Sequence, residues 1–183
     1  MKFKKTNIPD VILCEPKVIL DERGYFFESF KMDIFEAFIG YKVNFLQDNE
    51  AKSSKGVLRG LHYQDELFSQ AKLVRVVQGK VLDIAVDIRK FSPTFGKYIA
   101  LELSGENKLQ LFIPRGFAHG YLVLEDDTIF SYKVDNMYNN SSEKGIIYND
   151  KSLNIDWNFP ESEMIISEKD KILPSFLEAT YSK

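Results

Sequence analysis

The chain has 183 residues, 44% of them hydrophobic and 28% charged, which suits a globular domain able to bury a core without disulfide or metal staples. A net charge of -3, from 24 basic and 27 acidic residues, argues against a general nucleic-acid-binding protein. The lone Cys14 excludes an intrachain disulfide framework and favours a reducing, cytoplasmic compartment.

In chain order, the basic start Met1-Lys-Phe-Lys-Lys5 is not followed by a signal-peptide core, and no apolar run approaches the ~18 residues of a membrane span. Residues 1–30 read equally as an arm or as an outer strand. Phe30 to Ile39 reads as a short helix that Gly40 ends. Lys72 to Val77 is a β-like run, and Leu82, Ile84, Val86 and Ile88 then alternate with Asp83, Ala85 and Asp87 at the strand period of two. Gln78-Gly79 between these runs predicts a tight hairpin. Tyr98 to Leu103 and Gln110 to Ile113 are short strands with a turn at Gly105-Glu-Asn107. Tyr121 to Leu124 and Thr128 to Val134 form a further pair joined by Glu125-Asp-Asp127. Ser167 is a candidate cap for a helix start at Ser167-Glu-Lys-Asp170, and Pro174 would interrupt any helix there. Fifteen Phe and nine Tyr fit a β-rich core. Short strands spaced near ten residues point to an all-β sandwich or barrel in one domain.

Only two histidines occur. His62 lies in Gly56-Val-Leu-Arg-Gly-Leu-His-Tyr-Gln64, and His119 in Ile113-Pro-Arg-Gly-Phe-Ala-His-Gly120. These two stretches resemble the paired motifs of the cupin superfamily, which implies a double-stranded β-helix, a jelly-roll barrel, with a few short peripheral helices. The usual first motif supplies His-x-His; here position 64 is Gln. Two imidazoles are too few to hold a catalytic metal without other ligands, so no metal is expected. An interior imidazole is then free to act as a general base. Arg59, His62 and Lys72 fall in one β-rich block, and a core does not normally gather cations without an anionic ligand.

A wider match covers the chain from about Phe3 to Pro174. Besides the two histidine motifs, Gln70-Ala-Lys-Leu-Val-Arg75, Gln78-Gly-Lys-Val81, Val86-Asp-Ile-Arg-Lys90, Ser92-Pro-Thr-Phe-Gly96, Tyr148-Asn-Asp150, Ile155-Asp-Trp157 and Ile166-Ser-Glu-Lys-Asp170 resemble the dTDP-4-dehydrorhamnose 3,5-epimerase family. The resemblance implies an isomerase that inverts centres beside the C4 ketone of a nucleotide-linked deoxysugar, without a cofactor. It assigns His62 as base, Asp170 as its orienting carboxylate, Tyr132 as acid and Lys72 as the cation beside the enolate oxygen. It also assigns substrate contacts to Arg23, Glu28, Gln47, Asp48, Asn49, Arg59, His119, Tyr138, Glu143 and Lys169. Arginine suits phosphate because its planar donors bind oxygens in pairs.

The expected partner is a nucleotide sugar, with no nucleic acid and no membrane. The family implies a homodimer that exchanges an N-terminal segment. The chain, 1–183, is thus expected to be a single cupin-type epimerase domain with residues 1–30 as a candidate dimerisation arm. Asp65-Glu-Leu-Phe-Ser69 lacks the Pro-rich character common in the family, which leaves open whether C3, C5 or both are inverted. The rival expectation is a non-catalytic sugar-nucleotide-binding cupin; Gln64 argues against a metal-dependent cupin oxygenase.

Overall fold

The computed structural model describes residues 1–181. Its strands are β1 (Lys2–Lys5), β2 (Ile12–Glu15), β3 (Ile19–Asp21), β4 (Gly24–Phe26), β5 (Gln47–Ser53), β6 (Val57–Gln64), β7 (Lys72–Gln78), β8 (Lys80–Asp87), β9 (Tyr98–Ser104), β10 (Gln110–Ile113), β11 (Phe117–Val123), β12 (Thr128–Val134), β13 (Glu143–Gly145) and β14 (Ile165–Ile166). Helix α1 spans Met32–Ile39 and α2 spans Glu168–Lys171. One sheet has the order β1-β2-β10-β7-β12-β5, and the other β13-β6-β11-β8-β9, with β14 pairing in parallel to β6. The two sheets face each other as the expected jelly-roll barrel.

Period-two alternation sorts the side chains into layers. On β7, Val74 and Val76 point between the sheets and join Val81, Ala85, Leu103, Leu111, Val123 and Phe130 in the barrel core. The intervening Leu73 packs outward with Phe112 against Phe35 of α1. On β8, Leu82, Ile84 and Val86 also face outward, under a layer formed by Ile146, Leu153, Trp157 and Phe176. The polar positions of that alternating run, Asp83 and Asp87, have no exposure at all. Because both faces of β8 and β11 are covered, both strands are almost wholly buried.

Two connections differ from expectation. Gln78-Gly79 closes no hairpin, since β7 lies in the first sheet and β8 in the second. β11 and β12, expected as a pair, are likewise in opposite sheets, while the turn at Gly105-Glu-Asn107 forms as expected and joins strands of different sheets. A jelly-roll winds strand pairs around a barrel, so most consecutive strands change sheets. Corner residues adopt left-handed φ: Gly79 at 76°, Lys108 at 55° and Asp127 at 54°. From β5 onward, the consecutive pair that does form a hairpin is β8 with β9, in register from Lys80↔Ser104 to Val86↔Tyr98. Its loop is tied to the Asp87 carboxylate by Arg89, Ser92 and Thr94.

The N-terminal region serves two ends. β1 and β2 are outer strands of the first sheet, β2 pairing with β10. β3 and β4 form a separate ribbon whose residues are all exposed. Helix α1 starts two residues later than expected and stops at Gly40, whose φ of 85° lets its N–H reach Glu36 O. Ser167 caps α2 by accepting from the Asp170 N–H.

Candidate active site

A cavity opens between the sheets and has two lobes. One, of about 560 Å³, is lined by Arg59, His62, Lys72, His119, Tyr121, Tyr132, Lys169 and Asp170 among others. The other, of about 370 Å³, is lined by Gln47, Asn49, Gln64, Gln70, Tyr138 and Glu143. His62, Lys72 and Tyr132 line both.

β6 supplies Arg59 and His62 from the second sheet; β7 and β12 supply Lys72 and Tyr132 from the first. His62 Nε2 lies 2.7 Å from Asp170 Oδ1. The carboxylate is only 4% exposed, and its position follows from the Ser167 cap and from α2 packing beside β6. Burial opposes ionisation of Asp170, but the His62 ring and the Gly60 N–H hold its carboxyl below the usual range. An ionised acceptor on Nε2 keeps the proton there and leaves Nδ1 as the basic nitrogen.

His119 repeats the arrangement on β11. It is the cross-strand partner of His62, and its Nε2 lies 2.9 Å from Asp83 Oδ2. Burial holds the His119 ring below its ordinary pKa, although Asp83 pulls the other way. The second oxygen of Asp83 is buried without a hydrogen-bond partner among the described residues. Burial pushes the Lys72 ammonium down to about 8, against the attraction of Asp83 and Glu143. The Tyr132 phenol is raised by burial, with nearby Arg59 opposing, so it is a protonated donor near neutral pH.

At the outer end, Glu143 accepts from Tyr138 Oη at 2.8 Å and pairs with Lys169 Nζ at 2.7 Å. Burial would raise the Glu143 carboxyl, yet Lys169 and Tyr138 together hold it below its usual range. Gln47 Nε2 donates to Asn49 Oδ1 at 2.7 Å.

Three expected contacts lie elsewhere. Asp48 points to the other face of β5 and pairs with Lys133 at 2.8 Å, because three successive strand residues cannot share one face. Arg23 sits on the exposed β3–β4 ribbon with its guanidinium paired to Asp21. Glu28 follows that ribbon, is exposed, and lines neither lobe. Sequence reasoning missed Asp83, whose signal was a carboxylate between Leu82 and Ile84 in the middle of a mostly apolar strand. It also missed the part played by Gln64, whose carboxamide is fully engaged with backbone. Among the described residues no group of three or more His, Cys, Asp or Glu is placed to hold a metal ion.

A family model described as dTDP-4-dehydrorhamnose 3,5-epimerase matches residues 5–178. The chain belongs to this family. Among its relatives, the dTDP-4-dehydrorhamnose 3,5-epimerase of Shigella flexneri is 55% identical over 181 residues, covering 99% of each chain. The crystal structure of the same enzyme from Elizabethkingia anophelis superposes with a TM-score of 0.94 at 52% identity, covering 97% of both chains. The dTDP-6-deoxy-D-glucose-3,5-epimerase of Legionella pneumophila, solved with dTDP-4-keto-L-rhamnose, gives a TM-score of 0.93 at 46% identity over 97% of this chain and 93% of that one. The cavity brings together an imidazole held by a carboxylate, a phenol and an ammonium.

Proposed function

We propose that the chain epimerises a dTDP-4-keto-6-deoxyhexose at C3 and C5, or at one of them. The observation that carries this reading is that an imidazole and a phenol stand on facing sheets of one cavity: His62 on β6 and Tyr132 on β12. The C4 ketone acidifies the neighbouring C–H bonds. His62 Nδ1 takes the proton, and the imidazolium that forms is stabilised by Asp170. The electron pair moves onto the ketone oxygen as an enolate. Lys72 supplies the opposing charge at that oxygen. Tyr132 returns a proton to the carbon from the other face, inverting it.

Arg59, His119, Lys169, Tyr138, Glu143, Gln47 and Asn49 are proposed to bind the nucleotide and sugar from the walls they occupy. Arg23 and Glu28 are proposed to act in a partner's cavity within a homodimer. In support, the ribbon beside them exposes Leu20 at 76% and Phe26 at 67%, and isolated two-stranded ribbons of such composition are stabilised by a partner surface.

The test is proton NMR in deuterated water with dTDP-4-keto-6-deoxyglucose. Wild type should exchange and invert the centres beside the ketone. His62→Ala should lose about 10²–10⁴-fold in exchange rate while binding dTDP as before. A wild-type protein that binds dTDP but exchanges nothing would leave a non-catalytic binding cupin.

A further inference from the structure

Gln64 occupies the place where a metal-binding cupin motif carries its second histidine, two residues after His62 on β6. Its side chain is 7% exposed and uses its full hydrogen-bonding capacity save one lone pair. Nε2 donates to Phe68 O at 2.8 Å and to Met137 O at 3.1 Å, and Oε1 accepts from the Asn139 N–H at 2.6 Å. Met137 and Asn139 flank Tyr138. One amide therefore grips the backbone immediately before and after the tyrosine that lines the outer lobe.

The rest of the loop is fixed around that grip. Gln70 Nε2 donates to Asn136 O at 2.8 Å, and Asn136 Nδ2 donates to Leu67 O at 2.7 Å. Beyond Tyr138 the chain enters β13, where Glu143 is the backbone partner of Gln64 itself. Glu143 then receives the Tyr138 hydroxyl. Tyr138 is thus held at its backbone by the Gln64 side chain, and at its ring by the residue paired with Gln64. Glutamate cannot substitute, because a carboxylate would face two carbonyl oxygens with no proton to offer either. Apolar side chains leave three part-buried backbone groups without this partner.

We propose that Gln64 is a positioning residue that fixes the loop at 136–142 and aims Tyr138 at the bound nucleotide sugar. This rests on the epimerase reading above. It also gives the amide at position 64 a physical reason, since the geometry requires two donors and one acceptor on a single planar group.

The experiment compares wild type, Gln64→Met, Tyr138→Ala and the double variant by steady-state kinetics, with amide hydrogen exchange of residues 136–142 measured alongside. Gln64→Met should raise KM about tenfold and change kcat by less than about threefold, since His62 and Tyr132 are untouched. In the Tyr138→Ala background the same change should add less than about twofold, because the residue it positions is already gone. Amide exchange in 136–142 should accelerate at least about tenfold, with β8 and β11 unaltered. Multiplying effects in the double variant, or a fall in kcat at constant KM, would overturn the proposal. If Gln64→Met does not fold, Gln64→Asn, which keeps the amide but shortens its reach, is read the same way. Wild type without turnover would sink the epimerase reading alone. Amide exchange would then decide, with an unchanged rate overturning the positioning role and acceleration supporting it.

Discussion

Replacing Asp170 by asparagine removes one charge and keeps the shape. The His62 ring lies 2.7 Å from Oδ1, and the Asp170 side chain is 5% exposed. When His62 takes a proton from substrate, an imidazolium forms beside that carboxylate. With charge centres about 4 Å apart and an effective dielectric near 20, the pair is worth about 4 kcal/mol, or roughly 10³ in rate. The asparagine carboxamide can still accept from Nε2–H. Its amide nitrogen then faces the Gly60 N–H, which lies 3.5 Å from Oδ2, a weak mismatch with little effect on folding. If the amide flips instead, it donates to Nε2 and moves the imidazole proton onto Nδ1, where the base is needed. Either orientation lowers the rate. Deuterium uptake by NMR in Asp170→Asn should therefore fall about 10³-fold, with dTDP affinity unchanged. A loss of less than about tenfold would refute the Coulomb argument and leave Asp170 with an orienting role only.

Tyr132→Phe should separate proton removal from inversion: deuterium enters the unchanged sugar faster than epimer accumulates, and an equal fall in both rates would leave Tyr132 as a positioning residue. Turnover should decline as pH rises through about 8, because the Lys72 ammonium, lowered by burial, is protonated below that value and neutral above it. The raised Tyr132 and the lowered His119 do not titrate there, so Lys72→Arg should remove this limb from the kcat profile if it retains activity, and a persistent limb would implicate another group. Gly79→Ala should destabilise the fold by about 3 kcal/mol: the left-handed φ contributes about 1–2, and a Cβ placed 2.9 Å from Thr128 Cα adds at least about 1. Thermal unfolding should show Tm lower by roughly 6–12 °C; an unchanged Tm would mean the corner relaxes freely.

Periodicity located the strands because each buries at least one face, and alternation survives whichever sheet a strand joins. It does not say which sheet that is. Gln78-Gly79 looks the same in a hairpin and at a barrel corner, since both demand a left-handed glycine, and only the pairing of β7 with β10 and β12 tells them apart. The central site was readable from motifs: His62, Lys72, Tyr132 and Asp170 do meet in one cavity. Asp48 was misplaced although its strand position argued against it, since Gln47 and Asn49 already claim the inward face of β5. Arg23 and Glu28 stand outside because Arg23 sits on the exposed β3–β4 ribbon and Glu28 follows it. Asp83 went unnoticed because buried carboxylates are rare, and an acidic residue in an alternating strand is ordinarily a solvated one.

The sheet-changing connections have a stereochemical consequence. Facing sheets stand about 10 Å apart, roughly the room for one sugar ring and the side chains on either side. An enolate slotted between them is planar at the reacting carbon, and each prochiral face looks at a different wall. On the proposed mechanism, removal at one wall and delivery at the other is antarafacial, and inversion needs no movement of the His62 and Tyr132 side chains. Turning the ring within the slot would bring a different carbon between the same two walls. On the same mechanism the choice of centre follows from how the ring is tilted, while the walls stay as they are.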